Sequence, residues 1–279
     1  MFPAPAAAKI ALVLAIKSIL LILVVAEAAP LPGTFSGVVT NSAGRPLADA
    51  EVIVHGTTSA GRPASCEQRT DAQGRYKIRV PDGLYTACAY GNINRNGKLY
   101  RLILHPDDNE NARSYDSKQG VVKNFVWRLS GLKAFRNLDP ERPESYYGGT
   151  IQIILSDQKR TGLDAYADFA PSTVIEILLK PVGTLLDGSA PRPLLFKSGT
   201  SGSAPDRRII KDVPPGRYLL TARARTTSAS VLPLRVAATL HEGGIPAQPA
   251  RSVEIDFQPS RFLGPSSDGF ETVTLYVMN

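Results

Sequence analysis

Short apolar runs that alternate with period two, each closed by a cluster of Gly, Pro, Asn or Asp, constrain this chain more than any other feature. They suit half-buried β-strands joined by tight turns, and no long helical pattern interrupts them. The densest stretch runs from Phe35 to Tyr90. Phe35, Gly37 and Val39 share one parity before Asn41-Ser42-Ala43-Gly44 turns the chain. Ala50, Val52 and Val54 share the next, with Glu51 and His55 opposite, so one face is expected in the core and the other in water; Ile53 departs from the pattern. Tyr76, Ile78 and Val80 then point one way and Lys77 and Arg79 the other, and Pro81-Asp82-Gly83 turns into Tyr85, Ala87 and Ala89.

Lys98 to Leu104 resumes the alternation, and Val121 to Leu129 reads as a further strand in which Lys123 interrupts the apolar parity of Val121, Phe125, Trp127 and Leu129. From Thr150 eight more runs follow: Ile151–Leu155, Val174–Leu179, Leu194–Phe196, Ile209–Ile210, Tyr218–Ala222, Ser230–Leu240, Val253–Phe257 and Thr272–Val277. The hairpin V-P-D-G-L-Y-T-A-C-A from Val80 is echoed by V-P-P-G-R-Y-L-L-T-A from Val213. With 279 residues, 23 Gly and 22 Pro, the pattern predicts an all-β chain of two β-sandwich domains. The first spans 31–131, a connection 132–148, and the second 149–279.

The frame Gly37, Val39, Gly44, Pro46, Leu47, Ala50, Val52, Val54, Thr70, Asp71, Gly74, Tyr76, Pro81, Gly83 and Tyr85 resembles the carboxypeptidase regulatory-like domain. That resemblance implies a transthyretin-like sandwich over about 33–131 and an accessory, non-catalytic role with contacts to carbohydrate or protein. The peptidase itself has no counterpart: there is no His-x-x-Glu pair, and His55, His105 and His241 are dispersed.

The first 28 residues read as an export signal. Lys9 closes a short basic start, an apolar run extends from Ile10 to Ala26, and Ala26-Glu27-Ala28 offers a small-x-small site, so cleavage is expected after Ala28. Lys17 breaks the run, which is short beside the span of about 20 residues that crosses a bilayer comfortably, so no stable transmembrane span is expected once the signal is removed; retention as an anchor is the alternative. Cleavage leaves 32 − 2 = 30 basic against 25 − 1 = 24 acidic side chains, a balance of +6. The positive balance suits an anionic polysaccharide or cell-envelope protein as partner, while the charges are scattered, with no Lys/Arg run interleaved with aromatics, which argues against nucleic acid and leaves a solvated basic surface as the competing reading. Cys66 and Cys88 are the only cysteines, and an even count in an exported chain predicts that they pair, for about 3 kcal/mol of stabilisation.

Three aromatics are the candidate binding residues: Trp127, the only tryptophan, and the pair Tyr146 and Tyr147 in the connection. Each could stack on a sugar ring, and each has a competing role as core or junction filler. Asp107-Asp108-Asn109-Glu110-Asn111 gathers oxygen ligands that would suit calcium, without EF-hand spacing. Asp164 and Asp168 would face each other only on a short helix, and they carry the alternative reading, an exported hydrolase working with two carboxylates. No motif calls for a cofactor, a metal or a catalytic residue. The leading expectation is an exported, non-catalytic binding or structural module.

Overall fold

The computed structural model describes residues 30–95, 97–135, 138–156, 173–199, 208–226, 230–239, 248–258 and 270–278. The expected signal over 1–28 and the Asp164 and Asp168 pair lie outside the described residues. The fold is all-β. The first half contributes β1 (Thr34–Thr40), β2 (Glu51–Thr58), β3 (Pro63–Arg69), β4 (Arg75–Arg79), β5 (Gly83–Arg95), β6 (Lys98–Ile103), β7 (His105–Pro106), β8 (Tyr115–Asp116), β9 (Val121–Val122) and β10 (Phe125–Val126). These form two sheets, one ordered β4-β1-β10-β7 with β9 also on β1, the other β3-β2-β5-β6 with β8 on β5. Alternation decides what lies between them. Phe35, Val39, Tyr76 and Ile78 meet Val52, Val54, Tyr85, Ala87 and Ala89, all buried and all on the parities that the sequence predicts.

The expected strand from Val121 to Leu129 is broken in two. β9 pairs with β1 at Phe35 and Ser36, and β10 at Val39 and Thr40. Lys123 and Asn124 bulge between them, with the Asn124 Oδ1 accepting from the Val38 amide at 2.9 Å. The bulge needs Gly37: a Cβ there would lie 2.1 Å from the Lys123 carbonyl oxygen.

The second half supplies β11 (Gly149–Ser156), β12 (Val174–Leu185), β13 (Leu194–Gly199), β14 (Arg208–Val213), β15 (Gly216–Arg225), β16 (Val231–Thr239), β17 (Val253–Asp256) and β18 (Val273–Met278). Each predicted run thus overlaps a strand. They form one sheet, β13-β12-β15-β16-β18-β11-β14, with β17 on β15. The sheet folds over at β16, whose residues Val231–Leu234 pair with β15 and Arg235–Thr239 with β18. Divided at that corner, its two layers are β13-β12-β15-β16 and β14-β11-β18-β16. The first half has the same order, β3-β2-β5-β6 and β4-β1-β10-β7, with β6 and β7 as the two arms of a corner at Leu104. Even the parallel pairs correspond, β1 with β10 and β11 with β18. The echoed hairpins occupy equivalent places, β4–β5 and β14–β15, and Tyr85 and Tyr218 are each 1% exposed.

The 132–148 stretch joins the halves and is also folded into them. Its backbone closes on itself through Lys133 N to Ser145 O and Tyr147 N to Gly131 O, both 2.9 Å, and receives the Asn111 amide at the Ala134 carbonyl. The Asp212 carboxylate, on β14 at φ 62, accepts from the amides of Gly131 (2.8 and 2.9 Å) and Gly148 (3.1 Å). Burial raises its carboxyl above the ordinary range against the pull of those two amides. The Tyr100 hydroxyl of β6 donates to the Phe257 carbonyl at 3.1 Å and its ring packs 6.0 Å from Phe270. One contiguous apolar cluster runs through both halves.

Candidate functional site

Two of the three aromatic candidates belong to the interior. Trp127 is 4% exposed, since its amide extends the β1–β10 pairing to the Thr40 carbonyl at 2.8 Å and its ring turns inward with the apolar parity of that strand. Tyr147 is 6% exposed and packs on Tyr90 and Ile103, the outer side of the β5–β6 pair, so it covers the sheet and offers no platform to a sugar. Its hydroxyl lies 3.0 Å from His105 Nδ1, while His105 Nε2 lies 2.7 Å from Asn109 Oδ1. Because an amide oxygen only accepts, the Nε2 proton faces Asn109 and Nδ1 accepts from Tyr147. Burial lowers the His105 pKa below the usual imidazole value, with Asn109 opposing. Tyr146 differs: it is half-buried, donates to the Pro140 carbonyl at 3.0 Å, and lines a cavity of about 320 Å3 with Ile153, Ile175, Phe196 and Ile209.

The acidic loop is built around an internal cation. Lys123 is 1% exposed, and its Nζ lies 3.2 Å from Asp108 Oδ1, 2.8 Å from the Glu110 carbonyl and 3.1 Å from the Tyr115 hydroxyl. The ammonium also sits 4.8 Å from the Tyr115 ring centroid. Asp108, which accepts from the Tyr115 hydroxyl as well, is pushed up by burial but held below the usual carboxylate range by that bond, the Glu110 amide and Lys123. The other oxygens diverge: Asp107 accepts from Asn124 Nδ2 at 2.9 Å, and Asn109 faces His105. The calcium expectation supposes oxygens aimed at one point, whereas here the position facing Asp108 is filled by an ammonium. Among the described residues no group of three metal-ligating side chains converges.

The predicted disulfide is contradicted by strand order. Cys66 on β3 is opposite Val54 of β2, and Cys88 on β5 is opposite Ile53 of β2. The two cysteines are therefore two strands apart, about 9.5 Å, beyond the roughly 7 Å between Cα atoms that a disulfide tolerates. They also face opposite ways, Cys66 against the main core and Cys88 against Tyr90, Ile103 and Tyr147. The sulfurs are not joined.

A charged cluster that the sequence analysis did not single out lies on the outer face of β13-β12-β15. Register places Glu176 between Lys197 and Arg223, with Arg225 diagonal to it. Glu176 is 2% exposed; its carboxylate lies 2.5 Å from Arg223 Nε, 3.3 Å from Arg225 Nε and 3.6 Å from Lys197 Nζ. The bond from Arg223, aided by Arg225, overcomes burial and keeps this carboxyl below its ordinary range. The available signal was the A-R-A-R end of β15, where period two sends both arginines to one face.

No family model matches the chain, and no curated protein matches it. Among solved structures it is similar to the Bacillus anthracis TIE protein, at 13% identity and a TM-score of 0.31, covering 89% of this chain and 34% of that one. It is similar also to a C-terminal fragment of the pilus adhesin SpaC from Lactobacillus rhamnosus GG (12% identity, 89% of this chain and 97% of that one, TM-score 0.27). The major pilin T-13 of Streptococcus pyogenes stands at 6% identity, 90% and 97% coverage, and a TM-score of 0.27. The chain spans about a third of the length of the TIE protein, and at these scores the likenesses carry nothing about its role.

Proposed function

We propose that the chain is an exported, non-catalytic module of the cell envelope, in which two β-sandwich domains, residues 31–131 and 149–279, present their outer sheet faces to a polysaccharide or an envelope protein. The observation that carries this reading is where the chemically able side chains point. Lys123, His105 and Asp212 are turned inward and held by partners of the chain itself, whereas Lys197, Arg223 and Arg225 stand outward. Catalysis needs groups that converge on an open position for a reacting atom, while recognition needs an exposed face with donors to spare. The resemblance of 31–131 to a carboxypeptidase regulatory-like domain supports the same role, and its turn glycine Gly74, at φ 70, sits where a side chain would meet the Val39 carbonyl at 2.4 Å.

Capture is the test. The mature protein, with its N-terminus sequenced to establish cleavage after Ala28, is immobilised and offered its own envelope fraction and a glycan panel. Retention of a polysaccharide or an envelope protein is the expected result. Hydrolysis of a panel glycan that disappears in Asp164→Asn or Asp168→Asn would overturn it in favour of a two-carboxylate hydrolase.

A further inference from the structure

Glu176 is surrounded by more positive charge than it needs. A buried carboxylate is satisfied by one well-placed guanidinium, yet among the described residues three cations against one anion leave a surplus of two positive charges around Glu176. The three side chains remain open to solvent, with Lys197 62%, Arg223 48% and Arg225 43% exposed. Each arginine uses only Nε on Glu176, and among the described residues their terminal amino groups have no hydrogen-bond partner. The buried carboxylate thus acts as an anchor that holds two guanidinium planes in place, which reduces the ordering cost of meeting an incoming anion. An anionic partner would in turn relieve the repulsion among the three cations.

The layout selects the kind of partner. The Cα atoms of Arg223 and Arg225 are two residues apart on one strand, about 6.8 Å, and that of Lys197 stands two strands away, about 9.5 Å, while the charged heads gather round the Glu176 carboxylate. Because the Glu176 carboxylate already fills the point on which the three heads converge, an incoming anion meets only their outward-facing donors, a flat patch that suits anionic groups carried on a polymer lying across the sheet. Leu195 and Leu219, 49% and 36% exposed, lie on the same face and offer apolar ground to the C–H faces of sugar rings. The outward residues of β12 and β15 from Val174 to Lys180 and from Arg217 to Arg225 include no aromatic on which a base could stack.

We infer that the outer face of β13-β12-β15 is a docking strip for a linear acidic polysaccharide, whose carboxylates meet Arg223, Arg225 and Lys197 while Glu176 holds the arginines in position. This rests on the binding-module reading and names its partner class. Affinity electrophoresis of the mature chain in gels cast with polygalacturonate, neutral dextran or duplex DNA tests it. Polygalacturonate is expected to retard the chain in a salt-sensitive way and dextran to leave it unretarded. Arg223→Ser with Arg225→Ser is expected to weaken retardation about tenfold or more. Because that pair leaves Glu176 buried beside Lys197 alone, a second variant, Glu176→Val with Arg223→Thr and Arg225→Thr, removes the anchor with both arginines and leaves only Lys197; it is expected to melt like the parent and to lose most of the retardation. Arg69→Ser, an exposed cation on β3, is expected to change nothing. Undiminished retardation of the triple variant, or tighter retention of DNA than of polygalacturonate, overturns the strip. If polygalacturonate passes while the chain still captures an envelope partner, the strip alone falls; if neither is retained, the module reading falls with it.

Discussion

A lysine with 1% exposure keeps its charge only where the fold replaces the water it has lost, and Lys123 shows how narrowly that is done. Burial lowers its pKa while Asp108 raises it, and the Glu110 carbonyl and Tyr115 hydroxyl take up its remaining donors. Lys123→Met would leave Asp108 facing an apolar side chain. It is expected to cost about 3–5 kcal/mol in urea unfolding, and the companion change Asp108→Leu to recover part of that loss. His105 makes a pH prediction. Its folded pKa is depressed, so its contribution is fully present above the unfolded value of about 6.5 and is lost as pH falls toward the folded value, because the unfolded chain binds the proton first. Unfolding free energies measured from pH 8 to 5 should decline below about pH 6.5 in the parent and decline less in His105→Asn.

At the scale of the strand, period two made most of the fold legible. The parities of Phe35 and Val39, Val52 and Val54, Tyr76 and Ile78, and Tyr85 to Ala89 are those observed, because each depends only on neighbours along the chain. What depends on a partner strand was not legible. The break at Lys123 requires β1 to carry Gly37 opposite it, and Gly37→Ala is expected to cost about 2 kcal/mol and to raise hydrogen exchange at Lys123 and Trp127, whose amides bond to β1. The cysteines teach the same lesson. The parity that sends Ala87 and Ala89 inward sends Cys88 outward, but the placement of Cys66 needs the β2–β3 register, which no local pattern states. For the candidate site, composition pointed to aromatics, while strand pairing buried Trp127 and Tyr147 and assembled Glu176, Lys197, Arg223 and Arg225 from three strands.

The whole molecule repeats one strand order and then couples the two copies. The sequence carried a trace of the repetition in the hairpins from Val80 and Val213; the rest is hidden because inward positions ask only for apolar volume, which many residues supply. Coupling rests on Asp212 holding Gly131 and Gly148, on Tyr100 reaching Phe257, and on an apolar cluster that does not stop at the connection. A module that presents its faces in a fixed relation requires that coupling. Differential scanning calorimetry of the mature chain tests it most directly. The coupled account predicts a single transition whose calorimetric and van't Hoff enthalpies agree, whereas two resolved transitions, one for each half, would contradict it.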